Sequence, residues 1–317
     1  MSTTTRTIPG MFEPSIYREV VDQSMRQRVS QWDMIMRSLT SDRNLERFKN
    51  VKTGIGLPSA TAELSPITAW GDPAEGQIKE YVHDKESIGI RASWESQEDD
   101  KFDIVARAFS SMGDSLGEGI ELYMAQVWNN TLAADSPATR FLGFDGLAIG
   151  HDAHTNINRT FTQDNLTTGD ISLALLQFAR YHWVNLRNDD NFRDQQFARS
   201  PAFVIIAADA TTEPLLDQLL GLSNGQQPFT ADYTPHELGD TRTMWQKFVY
   251  LYLNDTDRTI VLSKKALTRE GGPFGMFRRR PSMRTYSDDA IEGDCHVGSY
   301  RLTNGWPDWK GSVISGG

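Results

Sequence analysis

A chain of 317 residues with 38% hydrophobic content can hold one large domain or two to three small ones, and it can bury a real core. A formal net charge of −10 argues against a general nucleic-acid-binding surface, although local basic patches stay open. The single cysteine, Cys295, excludes an internal disulfide framework, and no apolar stretch approaches the length of a membrane span.

The opening MSTTTRTIPG has neither the basic region nor the apolar run of a signal peptide, so synthesis and folding in the cytoplasm are expected. Residues 1–14, polar with two prolines, read as a strap-like arm without a core of its own. Over 15–39 the apolar positions Ile16, Val20, Val21, Met25, Val29, Trp32, Ile35, Met36 and Leu39 keep helical spacing and predict an amphipathic helix. Residues 51–57 read as a short strand, followed by a tip rich in turn formers such as Pro58, Pro66, Gly71 and Pro73. The return limb, 78–94, alternates like a half-buried strand through Tyr81, Ile88, Ile90 and Trp94. An excursion with so little apolar content is costly to order alone, which points to cover from a neighbouring chain.

Residues 98–130 are the strongest element. Phe102, Val105, Phe109, Met112, Leu116, Ile120, Tyr123 and Val127 form one helical stripe, and Glu98, Asp99 and Asp100 suit a helix start. Gly113, Gly117 and Gly119 weaken such a helix, and close approach of another backbone is the first explanation. Downstream, FLGFDGLAI at 141–149 reads as loop and strand, 170–185 as a helix entered at Gly169 and Asp170, and FVIIA at 203–207 as a strand buried on both faces. A helix over 213–222 follows. FVYLYL at 248–253 and TIVLS at 259–263 flank an Asn-Asp-Thr-Asp turn and read as a β-hairpin. The strand candidate 296–302 and the pair Trp306 and Trp309 close the chain, and mixed strands and helices imply an α+β sheet domain.

Several stretches could carry chemistry. Gly113-Asp114-Ser115-Leu116-Gly117 spells G-x-S-x-G, but a nucleophile elbow needs a strand, a strained turn and a helix, whereas Ser115 falls inside unbroken helical spacing. His151, Asp152 and His154 lie within four residues, with His182, Cys295 and His296 elsewhere; a metal site needs three or four convergent ligands, and a loop cluster alone reads as a hydrogen-bonded turn. Cys295 reads as a small buried residue in or beside a strand. Arg278, Arg279 and Arg280, with Lys264, Lys265 and Arg269 upstream, could meet phosphate or an acidic neighbouring chain, and the acidic balance favours an intersubunit salt-bridge patch. No Walker loop, dinucleotide fingerprint or CxxC pair is present, and neither a catalytic, a cofactor-binding nor a metal site is assigned. Asn-x-Thr triplets at Asn129, Asn158, Asn165 and Asn254 read as chance.

The order of elements, together with GFDGLAIGHDAHTNIN, SPAFVIIAADATTEPLLDQLL and FVYLYLNDTDRTIVLSKKA, resembles the major capsid proteins of tailed bacteriophages, the Hong Kong 97-type fold, with spelling similar to Mu-type head subunits. The resemblance spans residues 51–301. It implies an N-terminal arm (1–50), an extended E-loop hairpin (51–94), a peripheral domain with the spine helix (95–145), an axial domain (146–275) and a return to the peripheral domain (276–317). It also implies a non-enzymatic shell protein that self-assembles into hexamers and pentamers of an icosahedral head around double-stranded DNA. A separate scaffolding protein, a portal and a possible decoration protein would be its partners, with no cofactor and no membrane. The virion capsid would be its location, with assembly in the host cytoplasm. Some members cross-link a loop lysine to a neighbour's asparagine, for which Lys79 and Lys85 are the loop candidates. Two other readings stand beside this one: an encapsulin-type nanocompartment shell, and a cytoplasmic serine hydrolase using Ser115.

Overall fold

The computed structural model describes residues 14–27, 30–52, 75–93, 95, 104–157, 161–194, 196–197, 200–220, 245–288 and 292–316. Its axis is the helix α3, Ile104–Asn129, whose 26 residues extend about 39 Å. Phe109, Met112, Leu116, Ile120, Tyr123, Val127 and Trp128 are buried along it, as the spacing predicts. The expected acidic start at 98–100 lies outside the described residues.

One four-stranded sheet packs on α3. Its order is β1 (Arg37–Thr40), β11 (Phe274–Asp288), β12 (Gly293–Gly305) and β4 (Asp84–Ser93). The strand β1 runs parallel to β11, and the other neighbours are antiparallel. Close contact is made by small or planar groups. Leu116 sits over Gly298, the Tyr300 hydroxyl sits over Gly119, and the His296 ring meets Phe109 edge-on at 4.6 Å. The register of β11 slips between Phe277 and Ser282, around Pro281, which has no N–H to give to the ladder.

A five-stranded sheet holds the second half of the core in the order β7 (Leu166–Thr168), β13 (Ser312–Gly316), β10 (Thr259–Ser263), β8 (Ala202–Ala207) and β9 (Trp245–Tyr250). Val204, Ile205 and Ile206 on β8 are fully buried, which fits an unbroken apolar run between two partner strands. Helix α4 (Leu173–Asn185) packs against β13, and helix α5 (Thr212–Leu220) packs against β8 and β9. A third short helix, α6 (Lys264–Thr268), follows β10 directly, capped by the Ser263 hydroxyl on the Lys265 amide.

Several expectations are corrected. The helix over 15–39 is instead α1 (Pro14–Gln27), a single turn α2 (Trp32–Ile35) and then β1, because Met36 turns extended and Arg37 takes its place beside Phe274. The hairpin of β9 with β10 does not form: β8 lies between them, parallel to β9 and antiparallel to β10, because its wholly apolar face needs a partner on each side. The outgoing limb expected at 51–57 starts earlier, as β2 (Leu45–Val51) paired with β3 (Glu75–Val82), while the tip 53–74 lies outside the described residues. The return limb is two strands, since the chain leaves β3 at Val82, passes His83 and joins the other sheet as β4. Residues 141–149 form turns and a short 3-10 helix, with Gly150 bridged to Leu132, and not a strand. Helix α4 begins three residues later than expected, capped by the Ser172 hydroxyl on the Leu175 amide. In the tail, β11 and β12 lie with α3, whereas β13 joins the five-stranded sheet.

Candidate functional site

Ser115 is exposed in the middle of α3, eleven residues past its first residue, Ile104. It stands on neither a strand end nor a turn, so the elbow geometry a nucleophilic serine needs is not built there. Gly113 explains the motif better. A β-carbon on Gly113 would meet the Val21 carbonyl oxygen at 2.8 Å and the Ser24 β-carbon at 2.9 Å, so glycine is what lets α1 lie on α3. The Ser24 hydroxyl then donates to Asp114 at 2.5 Å.

The histidine loop is structural in its contacts. His154 is fully buried and donates through Nε2 to the Ile149 carbonyl at 2.9 Å, while Nδ1 meets the Asp145 carboxylate at 2.7 Å. Its ring stacks on Trp309 at 4.3 Å, and the His182 ring stands tilted to the same indole at 6.2 Å. Burial, and secondly the charge of His154, hold the His182 imidazole down to about 4. His151 receives the Ala153 amide on Nδ1 and stands 3.1 Å from Asp152. Among the described residues no three His, Cys, Asp or Glu side chains group as a metal site. Cys295 is buried on β12, opposite Tyr286 and Arg91. Asn165 is also fully buried, donating to the Ile149 carbonyl and Ser312, which removes it as a surface acceptor.

A polar cavity of about 290 Å³ separates the hairpin from this loop, lined by Asn50, Gly76, Asp145, Asn156, Asp189 and Lys310 among others. Its charges are paired: Lys310 with Asp189 at 3.7 Å, Arg269 with Asp308 at 3.2 Å, and Lys52 with Asp190 at 2.6 Å nearby.

The base of the hairpin is fixed by charge. Lys79 donates to the carbonyls of Thr139 and Leu142, and burial pulls its amine down to about 8 against the attraction of Asp145. Lys79 is therefore turned into the body of its own chain, whereas Lys85 is exposed on β4. Arg140 binds Asp84 at 2.8 Å and Gln126 at 2.6 Å and lies over the rings of Tyr123 and Phe141. Tyr81 packs edge-on to Phe48 and Phe274, which stack at 4.6 Å, so aromatic contacts join the hairpin to the sheet. Beyond that base the hairpin leaves Val51, Ile78 and Val82 between 54% and 56% exposed.

The basic stretch is divided. Arg269 turns to Asp308 and the Phe197 ring, Lys264 and Lys265 lie exposed on α6, and Arg278 donates to Asn44 in the bend just before β2. Sequence reasoning missed Arg258, which is 3% exposed and donates to the carbonyls of Trp128 and Asn129 at the end of α3 while pairing with Asp135 and Asp255. It also missed Glu121, a buried carboxylate that accepts the Gln31 amide at 2.9 Å and so holds α2 against α3. Burial raises its carboxyl above the ordinary range despite these hydrogen bonds. No local pattern marks either residue, because every partner but Asp255 is distant in sequence.

No family model matches the chain, and no curated protein matches it in sequence. Solved structures do match its shape over nearly its whole length. The virus-like particle from Pyrococcus furiosus is 8% identical, with 95% of this chain and 98% of that one covered at a TM-score of 0.52. The capsid of an empty GTA particle is 12% identical over 91% and 90% at 0.53, and the capsid of cyanophage P-SCSP1u is 12% identical over 89% and 86% at 0.51. The chain thus has the Hong Kong 97-type capsid fold, in an α+β arrangement that covers most of its length.

Proposed function

We propose that this chain is the major capsid subunit of a tailed-phage-like head, assembling as hexamers and pentamers of an icosahedral shell around double-stranded DNA. The observation that carries the reading is the agreement of fold across about nine-tenths of both chains with particle-forming proteins. The hairpin supports it. Val51, Ile78 and Val82 stand open on a two-stranded ribbon, a form marginal in water unless another surface covers it. The division into arm (1–50), E-loop (51–94), peripheral domain (95–145), axial domain (146–275) and return segment (276–317) belongs to the same proposal, with 312–316 reassigned to the axial sheet. A Mu-type affiliation rests on local spelling. A separate scaffolding protein, a portal and a possible decoration protein are the partners this reading entails, with the virion as location after assembly in the host cytoplasm. Lys79 is a poor cross-linking residue in this geometry, which leaves Lys85 as the loop lysine open to a neighbour.

Electron microscopy with size-exclusion chromatography of the purified chain tests the proposal: closed shells or rings of five or six are expected. Packaged DNA then selects a phage head, and protein cargo an encapsulin-type shell. A compact monomer under all conditions, with esterase activity lost in Ser115→Ala, would instead return the chain to the hydrolase class.

A further inference from the structure

The four-stranded sheet sorts its charges between its two faces. Strand pairing sets Arg301 between Arg279 and Lys85, Val297 between Arg284 and Gly89, and Cys295 between Tyr286 and Arg91, with a row of three serines at Ser299. These rows look away from α3, because the alternate positions His296, Gly298 and Tyr300 are the ones that meet Phe109, Leu116 and Gly119. The acids of β4 and β12 lie on the helix side instead: Asp84 accepts from Tyr123, Glu86 accepts from Tyr300, and Asp294 alternates to the same face.

Four cations close together at one end of the outer face. The pairing of β11 passes from Phe277 with Leu302 to Arg279 with Arg301, a bulge that brings Arg278 in beside Arg279. Arg278 Nη1 and Arg301 Nη2 donate to the same Asn44 oxygen, at 2.7 and 3.0 Å, and Arg279 Nη2 donates to the Ser299 hydroxyl at 2.7 Å. Lys85 stands directly opposite Arg301, at about 5 Å between β-carbons. These acceptors are neutral. Among the described residues none of the four cations has a carboxylate partner, and Glu46, which acts on the neighbouring His83, accepts from Ser41. The Nε groups of Arg279 and Arg301 and the Nε2 of His83, which is 3% exposed, are buried without a partner. Like charges side by side and N–H groups without acceptors both cost stability until an anion joins them.

We infer that Arg278, Arg279, Arg301 and Lys85 form a binding site for a phosphate-class oxyanion, with Asn44 and Ser299 holding the guanidiniums in place. Charge selects the ligand. A carboxylate brings one charge and two oxygens, whereas a phosphate group brings close to two charges and three strong acceptor oxygens, enough for several guanidinium forks and an ammonium to share. Composition alone favours an acidic neighbour for the arginine run, but the sorting of cations from acids appears only in the paired strands. The site is complete within one chain, so it stands whether or not the chain forms a shell.

The test follows thermal unfolding of the full-length chain in rising sodium phosphate against sodium chloride of matched ionic strength. The wild type is expected to gain stability along a saturable phosphate curve that chloride does not reproduce. Arg301→Gln is expected to weaken phosphate binding about tenfold, yet to unfold without phosphate at the same or a higher temperature, since a like charge is gone. Lys85→Gln, an exposed position, should weaken binding in the same direction, while Arg180→Gln, an exposed cation on α4, should leave it unchanged. Competition by a short duplex DNA would assign the site to nucleic-acid phosphates, and phosphate retained against that duplex would assign it to free phosphate; both keep the inference. A phosphate curve no different from chloride, an equal loss in Arg180→Gln, or glutarate binding as tightly as phosphate overturns it. So does a fall in phosphate-free stability in Arg301→Gln with phosphate affinity unchanged, which would make Arg301 a structural residue only.

Discussion

The Val21 carbonyl oxygen lies against the Cα of Gly113 so closely that a β-carbon there would stand 2.8 Å away. The contact seats α1 on the axial helix with backbone against backbone, and the Ser24 hydroxyl locks it by donating to the Ser110 carbonyl at 3.1 Å and to Asp114.

Replacing Gly113 with leucine is expected to lift α1 from α3 while leaving both sheets folded. Overpacking of this kind costs about 1–3 kcal/mol. Limited proteolysis should then cut within 14–27, and, on the shell function proposed above, particle yield should fall. Unchanged cleavage and yield would show that the close approach does not hold the arm.

Arg258 closes the end of α3, giving hydrogen bonds to two carbonyls and charge to two aspartates. Arg258→Met leaves Asp135 and those carbonyls without their partner. Because Asp135 and Asp255 keep contact with water, the loss is about 1–3 kcal/mol. Chemical denaturation should show a loss of that size; a change below 1 kcal/mol, roughly the scale of a surface pair, would mean that the cap is replaced by water.

His182 sets an acid limit. The unfolded imidazole takes a proton near 6.5 and the folded one only near 4, so stability is complete above about 6.5 and falls as the pH drops through that window. The slope from this group is at most about 1.4 kcal/mol per pH unit. Burial lowers His83 and His296 as well, so His182→Leu should flatten the acid limb without abolishing it. An unchanged limb in that variant assigns the acid sensitivity elsewhere.

Lys79 ties the hairpin to the loop at 139–142. In Lys79→Met the two carbonyls lose a charged donor, at a cost of about 1–3 kcal/mol, and amide exchange should quicken in β3 and around Leu142. Amine-reactive reagents should label Lys85 before Lys79 in the wild type, while the reverse order would place Lys79 at the surface.

The long helix and β8 were legible because each carries its signal within one stretch of chain: a stripe from Val105 to Val127 in one, an unbroken FVIIA in the other. Partner choice was not legible. TIVLS looks like the mate of FVYLYL across a short turn, but Val261 pairs with Val204, and Val204 in turn pairs with Lys247. Spacing also carried a helix through Trp32 and Ile35 into Leu39, since nothing local says that Arg37 will meet Phe274 more than two hundred residues away. The site was partly visible. The arginine run was singled out, but the row it forms with Arg301 and Lys85 exists only once three strands have paired.

The position of β13 imposes an order on synthesis. Residues 312–316 fill an interior slot between β7 and β10, although β7 emerges from the ribosome about 145 residues before them. A nascent chain lacking that strand presents two unsatisfied edges where the native sheet has none. Native geometry of this sheet is thus withheld until translation has passed residue 316.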